Sequence, residues 1–299
     1  MASNLRPLES YIPIGHEPYA EPVLSTFMAA AEELLFPYPS TPVADSPLLS
    51  QLIGGFRPNE FSILCGATGT GKTTLIANWS ASWFKQGVPH FVASVETGRT
   101  DFVKRVMSSM VNEDWNTGDP VALTKVRGFN DKYADLMKAD SLHLSLYENR
   151  FSVETLMADI AWMVKHKGIK IAMIDNLNFF MEVKSDSHAV AEMDRVVHSL
   201  VAFSKSVKVH IVMIMHPKKT ESGRVESEFD IKGSSTAVQE AYNIFLFNRP
   251  DPRMVESGDL SKFDREVKIA KLRRRGKANG ARLIYSTENG VKYTENRFI

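Results

Sequence analysis

The chain has 299 residues, a formal net charge of +1 and a single cysteine. Its 43% hydrophobic and 24% charged residues are typical of a globular protein with a sizeable core, and the balanced charge neither indicates nor excludes a nucleic-acid partner. One cysteine excludes an internal disulfide framework, and no apolar stretch approaches the length of a membrane span, so we expect a cytoplasmic protein without a membrane partner.

The sequence predicts two parts: residues 1–45 form an arm, and residues 46–299 form the main domain. Within the arm, Glu21–Phe36 carries apolar side chains at i, i+3, i+4 and i+7 intervals, which indicates an amphipathic helix. Prolines at positions 37, 39 and 42 end this helix. Its apolar face must be covered, either by the main domain of the same chain or by a neighbouring copy, and the sequence leaves both arrangements open.

Strand and helix patterns alternate from Leu48 onward. The predicted strands are Phe61–Cys65, Val88–Val95, Leu142–Tyr147, Ile169–Asp175 and Val209–His216, and the predicted helices are Thr73–Lys85, Thr100–Met110, Val153–Lys165 and Ala189–Val207. Several of these strands are continuous apolar runs, which are typical of a parallel sheet covered on both faces. Residues 111–140 show no clear pattern.

The C-terminal part of the chain has strand patterns with little room for helices between them. These strands are Asn243–Asn248, Glu266–Leu272, Ala281–Thr287 and, after an Asn289-Gly290 turn, Val291–Thr294. Successive strands with short connections pair in an antiparallel arrangement. The predicted fold is therefore α/β, with a mostly parallel central sheet flanked by helices and extended by C-terminal antiparallel strands.

A glycine-rich loop follows the strand Phe61–Cys65 and leads into a helix. The loop reads Gly66-Ala67-Thr68-Gly69-Thr70-Gly71-Lys72-Thr73 and matches the spacing GxxxxGK[ST]. In that pattern, successive backbone N–H groups surround a phosphate, and the N-terminus of the following helix points at it. We expect Lys72 to contact the outer phosphates and the Thr73 hydroxyl to occupy a Mg²⁺ position, so that the loop and Thr74 form a nucleotide site.

Three further polar residues end predicted strands, where ligands of open parallel sheets bind. Asp175 ends an apolar strand as a Walker B acid does, and it would hold Mg²⁺ opposite Thr73. Glu96 is placed to orient or deprotonate the water that attacks the γ-phosphate. His216 could form a hydrogen bond with the γ-phosphate. It could then transmit the presence or absence of that phosphate to the segment that follows it. Cys65, in contrast, ends a buried strand and is expected to be a core residue.

The order and spacing of several motifs resemble those of RecA-fold ring helicases. The motifs are Gly54-Gly55-Phe56-Arg57-Pro58-Asn59-Glu60, the loop at 66–73, Ser94-Val95-Glu96-Thr97, Ile174-Asp175-Asn176, Met215-His216-Pro217-Lys218 and Lys232-Gly233-Ser234-Ser235-Thr236-Ala237-Val238-Gln239. This family includes the DnaB-type replicative helicases and the helicase half of phage and mitochondrial primase-helicases. The resemblance runs from about Leu48 to Glu295 and implies a RecA-like P-loop NTPase.

The same resemblance implies an enzyme that hydrolyses ATP with Mg²⁺. It further implies a ring, expected to be a homo-hexamer, that moves 5′–3′ along single-stranded DNA as a helicase in phage or plasmid DNA replication. The stretch Ala270-Lys271-Leu272-Arg273 resembles the family's K-x-R, so Arg273 is implied to be an arginine finger that completes a neighbour's ATP site, with Lys271 as its companion. A basic strand edge is the alternative interpretation for Arg273, Arg274 and Arg275.

A further set of residues is implied by resemblance to bind single-stranded DNA. They are Lys218, Lys219, Arg224, Lys232 and Gln239. Phosphate contact suits a basic segment, because it needs charge and backbone N–H groups without a base code. A solvated, mobile loop is the alternative for residues 217–232. The resemblance also implies that Arg249 and Tyr285 lie near the nucleotide base.

The chain also departs from the family pattern. His216 stands where many DnaB-type proteins have glutamine, so the chain resembles the phage primase-helicases more closely. The residues before the domain hold no cysteine pair for a zinc module and no room for a polymerising fold, so we expect a primase or polymerase partner to be a separate protein. Two other functions stay open: a RecA-like recombination or annealing ATPase that coats single strands as an open filament, and a signalling ATPase of the same superfamily.

Overall fold

The computed structural model describes residues 40–94, 96–115, 122–145, 152–175, 186–218, 223–232, 235–274, 278–287 and 290–298. These residues belong to one compact unit, Ser40–Ile299. Several positions singled out in the sequence lie outside the described residues: the helix Glu21–Phe36 and the residues Val95, Asn176, Lys219, Gly233, Ser234, Arg275 and Asn289.

The described elements alternate between strands and helices up to β6. The strands are β1 (Phe61–Cys65), β2 (His90–Ser94), β3 (Leu142–Leu144), β4 (Ile171–Asp175), β5 (His210–Met215), β6 (Asn243–Asn248), β7 (Arg265–Leu272), β8 (Arg282–Ser286) and β9 (Thr294–Phe298). The helices are α1 (Pro47–Ile53), α2 (Lys72–Lys85), α3 (Arg99–Val111), α4 (Ala122–Lys138), α5 (Val153–Lys167), α6 (Asp186–Val207), α7 (Ser235–Glu240) and α8 (Pro252–Glu256). Among these helices, none combines the length and the apolar composition that crossing a membrane requires.

All nine strands form one sheet in the order β3-β2-β4-β5-β1-β6-β7-β8-β9. The first six strands in this order are parallel, and β7, β8 and β9 continue the sheet in an antiparallel arrangement. Strand β1 lies between β5 and β6, so the loop that follows β1 emerges at the middle of the sheet. The predicted fold class, a mostly parallel sheet extended by C-terminal antiparallel strands, is confirmed.

Helices cover both faces of the parallel part. Side chains of α5 and α6 pack on one face with Phe61, Ile63 and Cys65 of β1, and side chains of α2 and α3 pack on the other face with Leu64. Every residue of β1, β4, β5 and β6 is buried, which explains their continuous apolar sequence patterns. Burial raises the pKa of the Cys65 thiol to about 12, so the prediction of a core cysteine is confirmed.

Local signals set the ends of α5. The hydroxyl of Ser152 accepts a hydrogen bond from the N–H of Thr155 at 3.2 Å, and Glu154 lies in the first turn. Gly168 ends the helix with φ at 64°, a left-handed conformation that favours glycine. Lys165, His166 and Lys167 occupy the last turn, where positive charge interacts favourably with the helix dipole.

Two parts of the chain differ from the sequence prediction. Residues 111–140, which show no clear pattern, contain the helix α4. The predicted strand Val291–Thr294 is wrong, because the last strand begins at Thr294. Asn78 of α2 explains the shift: its amide donates to Val291 O at 2.9 Å, and its side-chain oxygen accepts from Tyr293 N at 2.5 Å. These bonds hold the segment before β9 against α2 instead of in the sheet.

Candidate functional site

The glycine-rich loop joins β1 to α2 in a conformation that only glycine adopts easily. Gly69 and Gly71 have φ values of 74° and 96°. A Cβ atom on Gly66 would lie 2.5 Å from Phe247 O, and one on Gly71 would lie 2.2 Å from the hydroxyl of Tyr293. The loop is therefore held closely between β6 and the segment before β9, in addition to its proposed role in binding phosphate.

Lys72 lies inside this loop. Its Nζ donates to Gly66 O at 2.7 Å and to Ala67 O at 3.0 Å, and the side chain is buried. Burial lowers the pKa of Lys72, although the negative charge of Asp175 opposes this shift. The hydroxyl of Thr70 also donates to Ala67 O, at 2.8 Å, which fixes the start of the loop. The ammonium is thus oriented into the loop by backbone oxygens.

Thr73, in the first turn of α2, faces Asp175, the last residue of β4. The Thr73 hydroxyl donates to Asp175 Oδ2 at 3.3 Å. Asp175 is 1% exposed, and burial, reinforced by the charge of Glu96, raises its pKa to about 6. One hydroxyl and one carboxylate suit Mg²⁺, which usually keeps several waters and binds proteins together with phosphate oxygens. The described residues contain no group of three or more His, Cys, Asp or Glu side chains placed to hold a metal ion by themselves.

Glu96 and His216 follow β2 and β5 and meet at the same edge of the sheet. His216 Nε2 lies 3.7 Å from Glu96 Oε1. Burial, together with the positive charge of Lys72, lowers the pKa of His216, so its imidazole is neutral at pH 7. Glu96 is 40% exposed and therefore open to solvent on one side. The structure brings together the five residues that the strand-end argument selects: Lys72, Thr73, Glu96, Asp175 and His216.

A polar cavity of about 380 Å³ adjoins the loop at Thr74 and Glu96. Helix α3 lines it with Asp101, Lys104 and Arg105, and Arg105 Nη1 donates to the Thr74 hydroxyl at 3.3 Å. Sequence reasoning missed these α3 residues. The signal was present, because positions 101, 104, 105 and 108 are polar at i, i+3, i+4 and i+7 and so mark one face of a helix.

A family model described as an AAA domain matches residues 43–222, more than half of the chain. The chain belongs to this AAA domain family.

Two relatives of this AAA domain protein are helicases by name. The DNA helicase/primase of Enterobacteria phage T3 is 24% identical over 204 residues, which cover 65% of this chain and 36% of the phage protein. The replicative DNA helicase DnaB of Mycoplasma genitalium is 23% identical over 244 residues, which cover 75% of this chain and 50% of that protein. The matched part thus spans half or less of the length of each relative.

Solved structures share the fold of this AAA domain protein. One of them, a separate ATPase domain, superposes with a TM-score of 0.73 at 14% identity, covering 93% of this chain and all of that one. A DnaB-like replicative helicase, solved in a study of its interactions with primase, gives a TM-score of 0.70 at 15% identity, covering 94% of this chain and 68% of that one. The resemblance to DnaB-type proteins and the RecA-like fold are confirmed by these comparisons.

The two residues predicted near the nucleotide base have different surroundings in this AAA domain. Arg249 is exposed, and its Nη2 donates to Gly69 O at 3.2 Å, so it lies beside the loop. Tyr285 is fully buried, and its hydroxyl donates to Glu295 Oε1 at 2.9 Å. The prediction for Tyr285 is therefore wrong, because neither face of its ring is available to a base. Tyr293, which contacts Gly71, is the aromatic residue beside the loop, and no spacing in the sequence distinguished it.

Arg273 and Lys271 lie at the opposite edge of the sheet from the loop of their own chain. Arg273 N donates to Tyr242 O, and Tyr242 N donates to Phe61 O, both at 2.8 Å, which places Arg273 beside the first residue of β1. The loop follows the last residue of β1, a five-residue strand with a length of roughly 16 Å. Lys271 Nζ donates to Val238 O at 2.6 Å and Gln239 O at 2.9 Å.

The basic residues of the predicted DNA segment separate into two groups. Lys218 and Lys232 are exposed and flank His216, since Lys232 N donates to His216 O at 3.0 Å. Arg224 is only 11% exposed, and it forms ion pairs with Glu226 and with the buried Glu266 at 3.0 Å. These ion pairs hold the Arg224 guanidinium on its own chain, and its predicted DNA contact stays a prediction. The side chain of Gln239 is exposed, and its predicted DNA contact stays a prediction.

Proposed function

We propose that this chain is the motor of a ring-forming DNA helicase, which hydrolyses ATP to move 5′–3′ along single-stranded DNA. The observation that carries the proposal is the placement of Thr73 and Asp175, 3.3 Å apart beside Lys72, with Glu96 and His216 at the same edge of the sheet. The names of the two relatives support a role in DNA replication, and the phage T3 match favours replication of a phage or plasmid.

ATP and Mg²⁺ are the proposed ligands of this edge. Lys72 would exchange the carbonyls of Gly66 and Ala67 for phosphate oxygens, and the N–H groups of the loop and the first turn of α2 would bind the remaining phosphate oxygens. Thr73 and Asp175 would hold Mg²⁺. When bound, this ion neutralises charge that develops on the transferred phosphoryl group.

Glu96 and His216 have complementary proposed roles. Glu96 is partly exposed, so its carboxylate can orient a water molecule toward the γ-phosphate or accept a proton from it. His216 is neutral at pH 7 because its pKa is lowered, and it therefore contacts the γ-phosphate as a hydrogen-bond donor without a positive charge. The backbone oxygen of His216 accepts a hydrogen bond from Lys232 N. This bond would couple the presence of the γ-phosphate to the basic segment at residues 217–232.

The position of Arg273 supports a site shared between copies. Because Arg273 lies about one strand length from the loop of its own chain, it can serve as an arginine finger only for the loop of a neighbour. A guanidinium supplied in this way stabilises charge in the transition state and makes hydrolysis depend on assembly. A hexameric ring, with Lys271 beside each finger, is the proposed assembly.

The proposed DNA contacts are made by the exposed Lys218 and Lys232, together with Lys219 and Gln239. Lys218 is held in place because its N–H donates to Asp230 O at 2.7 Å and its Nζ donates to Phe229 O at 2.9 Å. Lysines fixed in this way present charge to a phosphate backbone without reading bases. This arrangement suits a motor that must move along any sequence.

We further propose that residues 46–299 form the ATPase domain and residues 1–45 an arm whose helix docks on the adjacent copy. The start of the matched family model at residue 43 supports this division. A primase or polymerase is a proposed partner. The solved DnaB-like helicase that interacts with primase supports such a partner.

The test measures ATP hydrolysis by the full chain with and without single-stranded DNA, and unwinding of a forked duplex with a 5′ tail. We expect DNA to stimulate hydrolysis and the fork to be unwound. Annealing of strands with open filaments in micrographs, and no unwinding, would favour the RecA-like alternative. Absence of DNA binding at every salt concentration would overturn both DNA functions.

A paired set of variants isolates the DNA contacts. Lys218→Ala with Lys232→Ala should weaken binding of single-stranded DNA and reduce the slope of log affinity against log salt by about 1.4, since each lysine neutralises one phosphate and contributes about 0.7. The control removes two lysines of α4, Lys132→Ala with Lys138→Ala, and should leave that slope unchanged. ATP hydrolysis without DNA should be the same in both double variants.

A further inference from the structure

Three neighbouring groups contact Arg273 and hold it in place. Its guanidinium lies over the ring of Tyr242, with 4.8 Å between its central carbon and the ring centroid. The same guanidinium donates from Nη2 to the carbonyl oxygen of Gln239. Its backbone N–H donates to Tyr242 O at 2.8 Å. A long and exposed side chain therefore has contacts at its backbone N–H, over an aromatic ring and at one guanidinium nitrogen.

The next residue, Arg274, also lies near the Tyr242 ring. Its guanidinium lies 5.9 Å from the ring centroid and forms an ion pair with Glu60 at 2.5 Å. The Glu60 side chain is 4% exposed, and burial raises its pKa, so removal of the arginine would take the ion-pair partner from a buried acid. Arg273 and Arg274 are both exposed, but only Arg274 forms an ion pair with a buried acid, so the basic-edge interpretation suits Arg274.

Helix α7 supplies the remaining contacts. Its last carbonyls, those of Val238 and Gln239, accept from Lys271 Nζ, and Gln239 O also accepts from Arg273. Carbonyl groups at a helix C-terminus lack helical partners and attract cations. Lys271 and Arg273 are thereby tied to the same short helix, with Tyr242 two residues beyond its end.

We propose that Tyr242 is a positioning residue that holds Arg273 in the orientation required by the nucleotide site of a neighbouring copy. This inference rests on the proposed function, since it requires Arg273 to act on a neighbour. A guanidinium stacked on a ring keeps its plane and loses rotational freedom before the copies meet. Less ordering is then needed at the moment of phosphoryl transfer.

The test compares three substitutions at position 242 in the full chain. Tyr242→Leu removes the ring, and we expect kcat for ATP hydrolysis in the presence of single-stranded DNA to fall about five- to tenfold, with KM unchanged. Tyr242→Phe keeps the ring and should retain wild-type kcat. Tyr242→Met keeps apolar bulk without a ring and should match Tyr242→Leu, which provides a second variant if the leucine protein is unstable. Trp162→Leu, at an exposed aromatic on α5, is the control and should have no effect.

Mixing experiments separate positioning from a structural role. In rings formed from Tyr242→Leu and Glu96→Gln chains, some loops with an intact Glu96 receive an intact Tyr242 and Arg273 from their neighbour. Hydrolysis by the mixture should therefore exceed the average of the two unmixed proteins. A mixture that hydrolyses ATP only at that average would show that Tyr242 acts within its own chain and would overturn the inference.

Arg273→Ala tests the site shared between copies separately from the role of Tyr242. If Arg273→Ala loses hydrolysis while Tyr242→Leu and Tyr242→Met keep wild-type kcat, the inference about Tyr242 is wrong and the shared site stands. If Arg273→Ala itself retains wild-type hydrolysis in the assembled protein, the shared site is wrong and the inference falls with it.

Discussion

The two edges of the parallel sheet bury polar side chains in different ways. At the amino edge, His90 and His210 are the first residues of β2 and β5, and both are fully buried. His210 bonds Arg57 O at 2.6 Å and the Ser62 hydroxyl at 2.8 Å, so both ring nitrogens have partners. A carbonyl can only accept, so Nδ1 donates to it and Nε2 accepts from the serine.

His90 repeats this arrangement, with Val88 O at 2.8 Å and the Ser80 hydroxyl at 2.7 Å. At the carboxyl edge, in contrast, burial shifts the pKa of Lys72 downward and that of Asp175 upward, which means that their charged forms are disfavoured there. The difference teaches that the two histidines at the amino edge stabilise the fold as neutral groups with both ring nitrogens bonded. The carboxyl edge keeps charged groups at a cost in stability, as sites for charged ligands do.

The largest effect is expected for a change at Arg273, which tests whether the amino edge of one copy contacts the carboxyl edge of its neighbour. Arg273, near the amino edge, is proposed to complete the carboxyl edge of a neighbour. Arg273→Ala should lower kcat for ATP hydrolysis by about 10³-fold or more, because an arginine finger contributes 10³–10⁵ to phosphoryl transfer. Binding of a fluorescent ATP analogue should change little. Loss of nucleotide binding along with turnover would instead indicate a folding defect.

Lys72→Ala tests the carboxyl edge within one copy. We expect hydrolysis to fall about 10²–10³-fold, since one positioned donor to the phosphates is removed. The midpoint of thermal unfolding should stay the same or rise, because a buried ammonium is lost. Lys85→Ala, at the other end of α2, is the control and should leave hydrolysis unchanged. A marked loss of stability in Lys72→Ala would contradict the interpretation that the carboxyl edge keeps this charged group at a cost in stability.

The pH dependence of unfolding tests the amino edge. Burial lowers the pKa of both His90 and His210 from 6.5 to about 4. The unfolded chain then binds more protons between these values, so each histidine contributes stability that is complete above about pH 6.5 and is lost as pH falls toward 4. The loss is about 3 kcal/mol for each histidine.

Urea unfolding at pH 7.5, 5.5 and 4.5 measures this loss. Asp175 contributes in the opposite direction, because its folded pKa of about 6 is above its ordinary value of 3.8. A His210→Gln variant isolates the histidine, since the slope of its unfolding free energy against pH should be smaller by one proton. An identical slope in both proteins would show that His210 is not neutral in the folded state.

The smallest effect concerns one bond of the amino edge. Ser80→Ala leaves Nε2 of His90 without its donor, and the expected cost is about 1–3 kcal/mol in the free energy of unfolding. Ser199→Ala removes an exposed hydroxyl of α6 and should change that free energy by less than about 0.5 kcal/mol. ATP hydrolysis at 25 °C should be unchanged in both variants.

The sequence is informative where a structure depends on a short stretch of chain. The loop at 66–73 and the strand-end residues Glu96, Asp175 and His216 were found because parallel strands bring their carboxyl ends to one edge. Tyr285 was assigned wrongly, and the ion pair of Arg224 with Glu266 was not predicted, because these contacts depend on distant residues. Glu295 binds the Tyr285 hydroxyl together with Leu48 N and Leu49 N, and Glu266 pairs with Arg224 across the sheet. Such contacts between remote positions leave no local pattern.

The burial of Cys65 has a practical consequence. Cys65 is the single cysteine of the sequence, and its side chain is fully buried. Burial raises the pKa of its thiol to about 12, so electrophilic reagents that react with thiolates will not label the native protein. A cysteine introduced at an exposed position such as Lys138 will therefore carry a fluorophore at one known point in each copy. Energy transfer between such labels can report the spacing of copies during turnover without first removing a native residue.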